Sequence, residues 1–244
     1  MSRHRGRSGS NRVQREGAVQ PRDTTAPPRI LVINPNASRA VTDAIDAALA
    51  PLRLPGGPVL AVTDLPEGPE SIATQQDADS VVLPLVRRVA DDPSDAFVIA
   101  CFSDPGLHAV REAARGRPVM GIAEWGILRA LTLGERFGIV ALSEGSVRRQ
   151  RRMVRQMGVG DRYAGSRPVE ARASETADAA MGPRLIAAGQ TLVERDGADV
   201  VVLGCAGMAR HRAAVASAIG CPVIEPCQQA AAAALGAVLL RTAP

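Results

Sequence analysis

Two stretches of the chain run an apolar segment into a cysteine: DAFVIACFSDPG at 95–106 and DVVVLGCAGM at 199–208. A single cysteine in an apolar strand ordinarily packs, since cysteine is among the most buried residue types. Redox chemistry, metal ligation and nucleophilic or acid–base chemistry are the other uses of a thiol in a small-residue turn. The pairing favours acid–base chemistry. An aspartate stands six residues before Cys101 and six before Cys205, and a Pro-Val pair follows each cysteine 17 residues later, at Pro118 and Pro222. Arg29 opens RILVIN 72 residues before the first cysteine, and Arg136 opens RFGIVA 69 residues before the second. One supersecondary plan is used twice.

A duplicated plan gives each thiol a counterpart. Inverting a stereocentre next to a carbonyl needs a base on one face of the carbon and an acid on the other. Two cysteines serve both roles if one starts ionised and the other protonated, because a free thiol titrates near ~8.5 and its surroundings move that value. The turns after the cysteines, Phe102-Ser103-Asp104-Pro105-Gly106 and Ala206-Gly207-Met208, offer backbone amides to a thiolate. The same amides suit the enolate oxygen that forms as the proton leaves. Reacting atoms sit ~3–3.5 Å apart, so the sulfurs are expected roughly 6–7 Å apart, beyond the ~2.05 Å of a disulfide. A thiol redox protein would need them within that bond.

The elements that must hold these thiols are legible as alternating patterns. Apolar, β-branched runs at 29–34, 59–64, 96–101, 118–123, 137–142, 199–205 and 222–226 look like buried parallel strands. Helical patterns occupy about 38–50, 70–91, 106–115, 124–132, 145–157, 172–196, 208–218 and 226–240. The alternation predicts an α/β fold of two pseudo-symmetric parallel-sheet lobes. Ligands of open α/β sheets bind beyond the carboxyl ends of the strands, so the site is expected in the cleft between the lobes.

Composition removes several alternatives. The 244 residues contain no lysine, which excludes a lysine Schiff base and a phosphate-loop lysine. His4 lies in the amino-terminal tail, and His108 and His211 are expected on helix surfaces. No C-x-x-C pair or zinc-finger spacing occurs, so no metal and no cofactor are expected. Cys221 and Cys227 are expected to pack; Arg117 stands where a counterpart of Cys221 would fall. The net charge of +4 belongs to residues 1–28, with six arginines against Glu16 and Asp23, and this tail reads as disordered. The rest of the chain balances 23 arginines with 23 acids and is only 2% aromatic over its whole length, which argues against nucleic acid. The run RRQRRMVR at 148–155 is expected to be a solvated helix face. No apolar run is long enough to span a membrane, and no secretory signal is visible, so a reducing cytoplasm is the expected setting.

RILVINPNAS (29–38), VIACFSDPGL (98–107), PVMGIAE (118–124) and VVLGCAGMA (201–209) resemble the Asp/Glu/hydantoin racemase superfamily, in particular its hydantoin and allantoin racemase branch. The resemblance covers residues 29 to about 240. It implies cofactor-independent racemisation by Cys101 and Cys205 on a small carbonyl-activated carbon acid, best matched by a 5-substituted hydantoin or allantoin. It places substrate contacts at Asn34, Pro35, Asn36, Phe102, Ser103, Ser143, Ala206 and Gly207, though Asn34 and Asn36 equally suit capping of the following helix. Glu124 fits the family motif or a first-turn acid. The resemblance implies a lobe of 29–118 plus 222–244, a second lobe of 119–221, and a homo-oligomer. Four features depart from the family pattern: Ala37 replaces a threonine, Ala141-Leu142 a threonine pair, Trp125 a small residue, and PVIEPCQQA a plainer segment. Each alters the contacts available to a ligand and bears on which carbon acid is taken. The amino-acid racemase branch has a histidine where Gly207 stands, which counts against free aspartate or glutamate. A decarboxylase or cis–trans isomerase on the same scaffold, or a non-catalytic binding module, is the alternative. The decarboxylase branch keeps one of the two cysteines.

Overall fold

A computed structural model describes residues 26–176 and 178–242. The expectation of a disordered tail lies, up to residue 25, outside the described residues.

Two four-stranded parallel sheets form the molecule. The first contains β1 (Arg29–Ile33), β2 (Val59–Thr63), β3 (Ala96–Ile99) and β4 (Val119–Gly121), in the order β2-β1-β3-β4. The second contains β5 (Phe137–Ala141), β6 (Tyr163–Pro168), β7 (Val200–Leu203) and β8 (Val223–Ile224), in the order β6-β5-β7-β8. The two orders are the same when β1 is matched to β5 and β3 to β7. The repeated residues read from the sequence fasten equivalent strand starts. Asp95 accepts the Arg29 backbone amide at 2.6 Å, and Asp199 accepts the Arg136 amide at 2.9 Å. The Arg29 guanidinium adds bonds to Asp92 and Ser94.

The central strands are buried on both faces, as their unbroken apolar runs require. Their alternation sorts the core. Ile30, Val32, Ala96 and Val98 point to one side of the first sheet, and Leu31, Ile33, Phe97 and Ile99 to the other. The second group packs under α3 (Val82–Asp91) and α4 (Leu107–Ala113) through Leu85, Val89 and Val110. The first group is continuous with the core of the second sheet, by way of α5 (Ile122–Leu131) and α9 (Pro226–Thr242). These two helices pack on each other, and α9 returns to lie on β1, β3 and β4.

Several boundaries differ from the sequence expectation. The Pro-Val segments are strands that complete their own sheets before the chain crosses over. The first sheet therefore ends at Gly121 rather than 118, and the second at Ile224 rather than 221. The long pattern at 70–91 splits at Val81 into α2 (Gln75–Ser80) and α3, with Thr74 and Asp77 forming a capping box at the start of α2. β6 was not expected: YAGSRP has no apolar run, lies at the sheet edge and is irregular at Gly165, whose φ is +148°. The pattern at 172–196 becomes a loop followed by α7 (Met181–Glu194).

Candidate active site

Cys101 and Cys205 follow the carboxyl ends of β3 and β7, the equivalent strands of the two sheets. Both line one cavity of about 50 Å³, and neither is in a disulfide. That space suits one or two waters, at about 30 Å³ each. Pockets for small organic ligands run to ~300–1,000 Å³, so the space beside the two thiols is narrow. A larger outer cleft of about 620 Å³ shares Ser103 and Arg149 with the inner cavity.

The turn after Cys101 is held by Asp104, whose φ of +41° is in the left-handed region. Its amide donates to the Cys101 carbonyl at 2.9 Å, and its carboxyl accepts the amides of Ala123 and Glu124, opening α5. Burial pushes this carboxyl up to about 7 against the pull of those amides. In the other lobe Glu225 accepts the amides of Cys227 and Gln228, and burial pushes it up to about 7 as well.

Burial also raises both thiols. Cys101 has the Ser103 hydroxyl at 3.2 Å; that hydroxyl, the Ser103 amide and the Arg149 guanidinium draw its pKa down, while Asp104 opposes ionisation. Cys205 is pushed up to about 11, eased by the Gly207 amide and the Thr176 hydroxyl. Cys101 adds to the cost of ionising Cys205. Two thiols lining one small cavity, each supplied with an amide and a hydroxyl, suit the exchange of one proton with a carbon between them. Among the described residues no cluster of three His, Cys, Asp or Glu side chains assembles as a metal site.

A family model described as Asp/Glu/Hydantoin racemase matches residues 30–234. The chain belongs to the Asp/Glu/hydantoin racemase family. Within the family it lies with the hydantoin and allantoin racemases. It is 34% identical over 218 residues to hydantoin racemase from Paenarthrobacter aurescens, covering 87% of this chain and 92% of that protein. It is similar in structure to allantoin racemase from Klebsiella pneumoniae, with a TM-score of 0.82 and 29% identity over 88% of this chain and 89% of that one. Glutamate racemase from Francisella tularensis, 14% identical with a TM-score of 0.65 over 88% of this chain and 81% of that one, shares the fold.

This racemase-family cavity brings together six of the ten residues singled out from sequence: Cys101, Cys205, Asn36, Phe102, Ser103 and Ala206. The other four sit behind it. Asn34 is fully buried, and its amide group donates to Asn36, the Ser38 carbonyl and Thr42, which locks the turn into α1 (Arg39–Ala48). Pro35 presses its carbonyl against Gly68, where a Cβ would lie at 2.5 Å. Ser143 caps α6 (Glu144–Gln156) by accepting the Ser146 amide at 3.3 Å. Gly207 lies under Thr176. Glu124 lines the outer cleft and pairs with Arg111 at 2.5 Å. His211 is not a surface residue: it is buried, with Nε2 3.0 Å from the Thr176 carbonyl.

Four contributors were not visible in the sequence reading: Ser146, Arg149, Gln150 and Thr176. Arg149 stands inside the run expected to be wholly solvated. It is half-buried, and it donates to the Ala73 carbonyl of the opposite lobe at 2.8 Å and to Ser146 at 3.2 Å. The signal was present in spacing: Ser146, Val147, Gln150 and Val154 form one buried face of α6, and Arg149 borders it.

Proposed function

We propose that this protein is a cofactor-independent racemase or epimerase of a small carbonyl-activated carbon acid, best matched by a 5-substituted hydantoin or allantoin. The observation that carries the proposal is that Cys101 and Cys205 line one cavity at the ends of equivalent strands. One thiolate removes the proton from the stereocentre and the opposite thiol returns one to the other face; the roles exchange with direction. The enolate oxygen meets backbone amides of the two turns, which is where preorganised donors lower the barrier most. The named relatives support the ring-substrate class. A reducing, cytoplasmic setting belongs to the same proposal, since the chemistry needs free thiols.

The test uses single enantiomers of hydantoins and of allantoin in D₂O, with the unmodified protein, Cys101→Ser and Cys205→Ser. Loss of optical rotation with deuterium at the stereocentre is the expected outcome, and each single variant is expected to lose it. Full racemisation by either variant would rule out the two-thiol mechanism. Absence of exchange across the panel would instead favour a binding module.

A further inference from the structure

Positions 103 and 207 are equivalent, each two residues past its cysteine. Ser103 gives Cys101 both an amide and a hydroxyl. Gly207 gives Cys205 an amide and has no side chain to give. The hydroxyl comes from elsewhere. Thr176, on the loop between β6 and α7, is fully buried, and a Cβ built on Gly207 would fall almost on its Oγ1. The threonine hydroxyl thus fills the space of a side chain at 207, from where it favours an ionised Cys205. Two unrelated chain segments deliver the same pair of donors to the two thiols.

We propose that Thr176 is the positioning residue of Cys205, as Ser103 is of Cys101, and that its hydroxyl changes partner with the charge on the sulfur. While Cys205 is a thiol, Thr176 donates to the Ala173 carbonyl at 2.6 Å. Once Cys205 has passed its proton to the substrate carbon, the hydroxyl turns and donates to the thiolate. It has one proton and serves one acceptor at a time. The Ala173 carbonyl keeps the Thr176 amide, at 3.3 Å, so it is not left bare. The exchange favours the charged state because a bond to an ionised acceptor is the stronger one. The titratable groups that act on Cys205 are Cys101, Glu225 and Cys227. Arg149 lines the same cavity but acts on Cys101, and His211, at the Thr176 carbonyl, is held toward its neutral form by burial, which leaves amide and hydroxyl as the stabilising donors of Cys205. The inference rests on the two-thiol reaction proposed above, but its first readout needs no substrate.

That readout is iodoacetamide alkylation across pH, followed peptide by peptide by mass spectrometry. Cleavage at arginine separates Cys101 and Cys205 from each other and from Cys221 and Cys227. Thr176→Val is expected to raise the pH midpoint of Cys205 alkylation by about one unit, leaving that of Cys101 in place, and to slow racemisation about 10–100-fold, the worth of a hydrogen bond to a charged group. Thr176→Ser is expected to restore both, and Ser103→Ala to give the mirror result on Cys101. Should the valine variant not fold, Thr176→Ala carries the same comparison. An unmoved Cys205 midpoint, or equal movement of both thiols, would overturn the proposal. A selective shift in a protein that racemises none of the substrates would keep the Thr176 assignment and remove the racemase one.

Discussion

Asp104 and Glu225 perform the same task in the two lobes from different places in the chain. Asp104 accepts the amides of Ala123 and Glu124 at 3.0 and 2.8 Å; Glu225 accepts those of Cys227 and Gln228 at 3.0 and 2.7 Å. The amide pairs are related by 104 residues, the separation of Cys101 and Cys205. The carboxyls are not. Asp104 comes from the turn after the cysteine, whereas Glu225 comes from the strand end, where the first lobe has Gly121. A Cβ on Gly121 would collide with the Asp104 carboxyl.

Both carboxyls have folded values near 7, above the unfolded ones. The folded protein therefore holds protons that the unfolded chain releases. The resulting stability is complete below about 4 and is lost as pH rises through about 7. Replacing Asp104 by Asn removes one such group. Calorimetry should show the Tm gap between the unmodified protein and this variant narrowing from about pH 5 to about pH 8. A constant gap would mean that Asp104 is ionised throughout.

Gly121→Ala sets a methyl group against the Asp104 carboxyl. Urea denaturation should show a loss of about 1–3 kcal/mol, the usual cost of overpacking. Adding Asp104→Ala vacates the space, so the double variant should lose less than the sum of the single ones. Simple additivity would place the strain elsewhere.

Arg149→Met removes the bond to the Ala73 carbonyl across the cleft. It also removes the charge that favours an ionised Cys101. Hydrogen exchange at residues 70–77 should quicken, and Cys101 alkylation should begin at higher pH. Unchanged exchange there would show that other contacts hold this segment against α6.

The proposed racemisation needs one thiolate and one thiol. Burial raises both thiols, and Cys205 lies near 11. The kcat/KM profile should rise on the alkaline side of neutrality and fall again only near about 11, with apparent values that belong to the pair. A plateau reached in mildly acidic buffer would contradict this ordering.

The central strands were legible because burial on both faces leaves unbroken β-branched runs. The thiols were legible because equivalent strand ends repeat their neighbours. β6 was not, since an edge strand with one dry face carries Gly165, Ser166 and Arg167 without an apolar run. Thr176 was hidden for a different reason. It reaches Cys205 from another segment, and local spacing around a cysteine cannot report a group delivered by a distant loop. Arg149 was masked by composition, because one arginine turning inward looks the same as four turning outward.

The return of α9 to the first sheet also sets an order of assembly. Residues 122–225 form an uninterrupted insertion whose sheet is complete once β8 has paired. The first sheet is divided: its strands leave the ribosome early, but the helix that covers β1, β3 and β4 comes after everything else described. During synthesis the earlier-made half waits with an apolar face open while the later-made half closes. Truncation within 226–242 would therefore act as a folding lesion in the amino-terminal lobe, far away in sequence from the break.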